Sequence, residues 1–226
     1  MGFSYIGGSS NENTASGTTL DCAAALNVAA GDVLVCFVCY EGGATTYAVA
    51  SVSGAPANAF TFDAGDEMAN NVFGQMGYLL SAAADAAATF RCTWTAARTW
   101  RRFFVMQFRP DAGDVVTKDT SSSGTGMSNA ANSGNITTTG TDEIACGASD
   151  LFNAGATSNE QINATAADGV LRQGPASIWY RLLIATFAGG AATATEAASD
   201  SWICGVIALK AEPGAAPRKW FFGRVS

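Results

Sequence analysis

Residues 31–40, GDVLVCFVCY, form the most apolar run in the chain. Two-residue alternation places Val33, Val35, Phe37 and Cys39 on one face and Leu34, Cys36, Val38 and Tyr40 on the other. A strand that is apolar on both faces is central and covered on both sides. Residues 89–95, TFRCTWT, alternate instead: Phe90, Cys92 and Trp94 point one way, Arg91 and Thr93 the other, as in a half-buried strand. The same reading predicts strands over 3–6, 18–24, 47–53, 60–62, 72–82, 100–108, 135–139, 143–148, 161–171, 177–187, 192–197 and 201–210. Pro110 cannot donate to a ladder and marks a boundary. The polar stretch 115–134, with SSSGTGMSNAANSG at its end, reads as a linker or long loop. No segment sustains an apolar period of 3.6 residues with caps, so little helix is expected.

The pattern recurs. Residues 141–150, TDEIACGASD, match Asp32 with Asp142, Leu34 with Ile144 and Cys36 with Cys146, 110 residues on. Gly77-Tyr78-Leu79-Leu80 is echoed by Trp179-Tyr180-Arg181-Leu182-Leu183, and AAATFRCT at 86–93 by GGAATATE at 189–196. A Trp-led strand closes each half, from Trp100 to Pro110 and from Trp202 to Pro213, at a spacing of 102. Four features in one order read as an ancient duplication; the alternative is two β-rich halves that share only turn chemistry. The expected fold is all-β: an antiparallel, jelly-roll-like β-sandwich over 1–213, built from pseudo-repeats of about 1–113 and 114–213, with a C-terminal tail at 214–226. Two separate sandwiches, divided near 113–134, are the other arrangement.

Composition narrows the function classes. Charged residues make up 14% of the 226 and the net charge is −7, so the basic surface of a nucleic-acid binder is not expected. No apolar run reaches roughly 18 residues, and the first residues lack the basic start and apolar stretch of a signal peptide. The chain thus reads as made in a cytoplasm, with no membrane partner. Its six cysteines, Cys22, Cys36, Cys39, Cys92, Cys146 and Cys204, are then expected to be buried thiols. Cys36 and Cys39 would point to opposite faces of a strand, which argues against a shared metal.

Candidate chemistry is sparse. There is no histidine, which removes Ser-His-Asp and Cys-His arrangements, and no phosphate-binding loop. No catalytic residue, metal or cofactor is expected. Asp63, Asp66 and Glu67 form the densest acidic group, a solvated loop or a set of oxygens for Ca²⁺. Arg98, Arg101 and Arg102 flank Trp100, with Arg109 beyond. These arginines either meet an anionic neighbour or pack their stems on aromatics. Trp94, Trp100, Trp179 and Trp202 all fall in predicted strands, where core packing competes with a sugar-platform role. The tail differs: Arg218, Lys219, Trp220, Phe221, Phe222 and Arg224 place three bulky aromatics between cations, which need a surface to dock on.

The Phe3-Ser-Tyr-Ile-Gly-Gly start, the Gly31-Asp-Val-Leu-Val entry to a buried strand, and the Leu-Leu…Ala-Ala…Thr strands closed by Trp…Pro resemble structural proteins of tailed bacteriophages. These are β-sandwich or jelly-roll virion components: head decorations, fibres and tail-associated proteins. The resemblance implies a non-enzymatic virion protein, such as a capsid decoration or cement protein. It would oligomerise with itself and dock on a capsid or tail protein through its termini. The alternative is a carbohydrate-binding or host-receptor-binding module of a tail fibre, with a glycan as partner.

Overall fold

The computed structural model describes residues 2–43, 45–51, 58–63, 66–67, 72–151, 157–183 and 185–214. Among these, every regular element is a strand. The first half supplies β1 (Phe3–Asn13), β2 (Gly17–Asp21), β3 (Leu26–Val28), β4 (Val33–Glu41), β5 (Tyr47–Ser51), β6 (Thr61–Phe62), β7 (Asp66–Glu67), β8 (Val72–Leu79), β9 (Asp85–Ala88) and β10 (Phe90–Pro110). Its main sheet runs β1-β10-β4-β8-β6, with β7 also on β8. β4 is the apolar run recognised in the sequence, and each of Val33–Tyr40 is at most 2% exposed.

β10 explains how both faces of β4 are covered. Its C-terminal part pairs with β1 and β4, and its N-terminal part with β2 and β5. Between them lies a bulge, where the register against β4 shifts between Thr99 and Arg102 and Trp100 takes a φ of 46°. A bulge bends the strand that carries it. The bend curls the sheet into a half-barrel over its own outer face, closed by the β3–β9 ribbon. Leu34, Cys36, Val38, Phe90, Cys92 and Trp94 fill this half-barrel. The opposite face of β4, with Val33, Val35, Phe37 and Cys39, packs on the second sheet in a separate core. The residues predicted as two strands, 89–95 and 100–108, are therefore one bent strand of 21.

The second half supplies β11 (Asp114–Asn132), β12 (Glu143–Leu151), β13 (Ser158–Ile162), β14 (Thr165–Ala166), β15 (Gly169–Gln173), β16 (Ala176–Leu183) and β17 (Ala192–Pro213). They form one sheet, β14-β13-β17-β12-β16-β15, with β11 on the free side of β17. The expected linker at 115–134 is a correction: it is β11, a strand of 19 residues paired along β17 from Asp114↔Pro213 to Asn132↔Thr193. An edge strand of Ser, Thr, Gly and Ala buries little on either face, so it shows no hydrophobic period. Of the strand predicted over 135–139, only an isolated Ile136↔Gly190 bridge forms. The single strand predicted over 161–171 is instead β13, β14 and β15.

The sheets are laid out alike. β10 and β17 each lie between the first strand of their half and its central strand, β4 or β12. Leu34 pairs with Leu79 in one sheet, and Ile144 with Leu182 in the other. The face of each strand, however, corrects the residue match. Cys36 points into the half-barrel and Cys146 into the core between the sheets. A slip of one residue inverts every side chain of a strand. The match consistent with the faces pairs Phe37 with Cys146 and Pro110 with Pro213, one residue away from the cysteine alignment. Each sheet draws on one contiguous half of the chain. The back-and-forth between sheets that defines a jelly roll is not seen among the described residues.

Candidate functional site

The two open sides of the sandwich end differently. On the side of β1 and β15 the gap between the sheets is filled. Tyr5 stacks on Tyr180 with ring centroids 4.6 Å apart, and Phe108 meets Tyr180 edge-on at 5.2 Å. Leu171 lies so close to Gly8 that a Cβ there would sit 2.6 Å from its Cδ1, and Gln173 donates to Ser10 Oγ at 3.0 Å.

On the side of β8 and β11 the gap stays open as a cleft of about 350 Å³. Phe37, Met76, Ile203 and Ile207 make an apolar lining, and Ser121 and Ser123 of β11 form one rim. Small residues make the room. Gly205 brings β17 against Met76, where an added Cβ would stand 3.2 Å from Sδ, and Gly74 does the same against Ile203 and Phe37 at 3.0 Å. One ion pair spans the mouth: Lys118 Nζ donates to Asp63 Oδ1 at 2.5 Å and lies 5.7 Å from the Tyr78 ring centroid. Asp63 Oδ2 is buried and has no hydrogen-bond partner among the described residues. A buried acceptor left open in this way costs about 1–3 kcal/mol.

β11 borders the cleft. Its only strand partner among the described residues is β17, so no described strand pairs with its outer edge. The strand also carries two of the most exposed large apolar side chains, Val115 (56%) and Met127 (70%). Proteins normally shorten, charge or cover such an edge, because it is a template for pairing with another chain.

Most residues singled out in the sequence hold the fold. Arg101 donates to the carbonyls of Thr19 and Ala15, and stacks over Trp94 at 5.7 Å. Arg102 enters the core between the sheets, 3.2 Å from Asp150 and 3.4 Å from Glu12. Burial raises the Asp150 pKa, and the Arg102 charge offsets part of that rise. Removing one partner of such a pair costs about 3–5 kcal/mol. Arg109 chelates Asp32 through Nε and Nη2 at 2.7 and 2.9 Å. Burial opposes the charge on Asp32, but Arg109, the Ala29 N–H and Gln107 outweigh it and hold the carboxyl below its ordinary value. Arg98 donates to the Ala97 carbonyl. The basic cluster is thus dispersed over separate internal partners.

Trp94 and Trp179 are fully buried, and Trp202 donates Nε1–H to Ser128 Oγ. Trp100 departs from the core role expected for all four: it is 43% exposed and caps Arg102 from the bulge. All six cysteines are buried free thiols, and burial pushes the Cys22 thiol up to about 12. Of the acidic group, Asp63 reaches the cleft, while Asp66 and Glu67 form β7. Arg218, Lys219, Trp220, Phe221, Phe222 and Arg224 lie outside the described residues.

Sequence reasoning passed over Lys118, Ser121, Ser123 and Glu143. Glu143 is 2% exposed and accepts the Gly140 N–H at 2.5 Å. Burial, reinforced by neighbouring Asp119, raises its pKa to about 7. Compared with known protein families, curated proteins and solved structures, the chain has no match.

Proposed function

We propose that this chain is a non-catalytic assembly protein, a bacteriophage virion component of the decoration or cement kind, that joins other subunits through the open β11 side of its sandwich. The observation that carries the reading is the β11 edge, unpaired by any described strand, beside an apolar cleft. Adding a strand to such an edge draws affinity from main-chain hydrogen bonds and specificity from adjacent side-chain pockets. The low charge content, 14%, suits a surface that spends its life against neighbours. The resemblance to phage structural proteins supplies the biological setting. The matching layout of the two sheets supports descent of both halves from one duplicated sheet.

Sedimentation of the purified chain over a range of concentrations tests the reading. Species heavier than the 23.1 kDa monomer are expected to grow with concentration. A monomer throughout would count against it. That outcome would favour a second reading, a glycan-binding module. Its support is Trp100, an aromatic ring exposed at a backbone position where a bulky residue is seldom found. Binding in a glycan panel that is lost in Trp100→Ala would be its signature.

A further inference from the structure

The geometry points to the occupant of the cleft: the aromatic–cationic segment 218–224 of a second copy of this chain. The inference rests on the assembly reading and names the partner surface. Four observations converge on it. First, the cleft is lined for an apolar side chain. Phe37, Met76, Ile203 and Ile207 line it, and the Asp63–Lys118 pair borders its mouth. A cavity of about 150 Å³ is enough for a benzene ring, and this one measures about 350 Å³.

Second, the charges are complementary. Residues 215–226 hold three of the twelve cations and none of the nineteen acids, leaving 9 cations against 19 acids in the rest of the chain. Third, the opposite side of the sandwich shows what a finished seam looks like: Tyr5, Phe108 and Tyr180 fill it with rings from the chain itself. On the open side Ser121, Ser123 and Gly205 contribute no ring, and no described aromatic side chain fills that volume as Tyr5, Phe108 and Tyr180 do on the other.

Fourth, β17 runs away from the cleft mouth toward Gly214, the last described residue. The Gly214 N–H still bonds to the Gly113 carbonyl, one step beyond the Asp114↔Pro213 pair. The mouth at Lys118 lies back along the ladder, opposite Leu209. At about 3.3 Å per extended residue, the seven residues from Gly214 to Phe221 can span at most about 23 Å, a reach that allows contact with a neighbouring molecule. A tail-to-cleft contact is heterologous, so repetition closes a ring or extends a filament.

Two variants of the full chain test this by complementation. Phe221→Ser with Phe222→Ser disables the tail and leaves the cleft intact. Ser123→Trp, at an exposed position of an edge strand, fills the cleft and leaves the tail intact. Circular dichroism checks that both are folded. The wild-type chain is expected to sediment as an oligomer, and each variant as a monomer. An equimolar mixture of the two should form a one-to-one dimer and nothing larger, because it contains one working tail and one working cleft. If the wild type assembles and either variant assembles equally well, this pairing is overturned while assembly by another surface stands. If both variants are monomeric but their mixture is too, the pairing is likewise overturned. If the wild type is monomeric at every concentration, the pairing and the assembly reading fall together. Should Ser123→Trp not fold, Asp63→Lys takes its place, repelling the tail at the mouth, with the same outcomes required.

Discussion

Glu143 shows how much one side chain can report. Its carboxyl stands at about 7 in the fold against 4.5 for an ordinary glutamate, because it is buried at the start of β12 beside Asp119. The folded state therefore holds this proton more tightly than the unfolded chain does. Its contribution to stability is complete below the ordinary value and is lost as pH rises through the folded value, so the window runs from about 4.5 to about 7. Glu143→Gln keeps the neutral form at all pH and can donate its amide to Asp119. Urea denaturation should find the variant more stable than wild type at pH 8, by up to about 3 kcal/mol, with the gap closing as pH falls below about 4.5. An equal gap at both pH values would sink the account. None of this was legible in the chain, where Glu143 is one of nineteen acids. Burial and the approach of Asp119, 24 residues away, set the shift.

At the scale of the element, β4 and β11 are opposites. β4 was readable because both of its faces meet apolar layers, and that demand is written in its residues. β11 was read as a linker because its demand is met by main-chain bonds to β17, which any small polar residue can make. Its stability is borrowed from its neighbour, and its free edge is where interaction is expected. Replacing Val115 and Met127 with Lys tests that edge, since a charge there blocks pairing with another chain. Both side chains are exposed, so the unfolding free energy should move by no more than about 0.5 kcal/mol. The tendency to assemble, followed by sedimentation, should fall. A clear loss of stability with unchanged assembly would mean that these residues pack in the protomer and play no part at the edge.

At the scale of the molecule, the two halves depend on each other. Val33, Val35 and Phe37 of the first half share one core with Ile144, Cys146 and Ala148 of the second, and Arg102 meets Asp150 across it. Neither half can bury that face alone. Calorimetry should therefore record a single unfolding transition. Residues 114–226, expressed apart from 1–113, should remain unfolded and gain β-type circular dichroism when the two are mixed. Two separate transitions, or a second half that folds unaided, would contradict the shared core.

The sequence by itself determined the all-β class, the doubly covered central strand and the burial of the cysteines, because each follows from local alternation and side-chain polarity. The residue match it suggested between the halves set Cys36 against Cys146, since spacing is blind to which face is inward. Only the tertiary structure decided that Cys36 and Cys146 lie in different cores, that the arginines are spent inside the fold, and that Trp100 stays outside. Only the packing of the sheets could show that one side of the sandwich is filled with rings and the other left open. A cleft is a property of the distance between surfaces, and no single stretch of chain contains that distance.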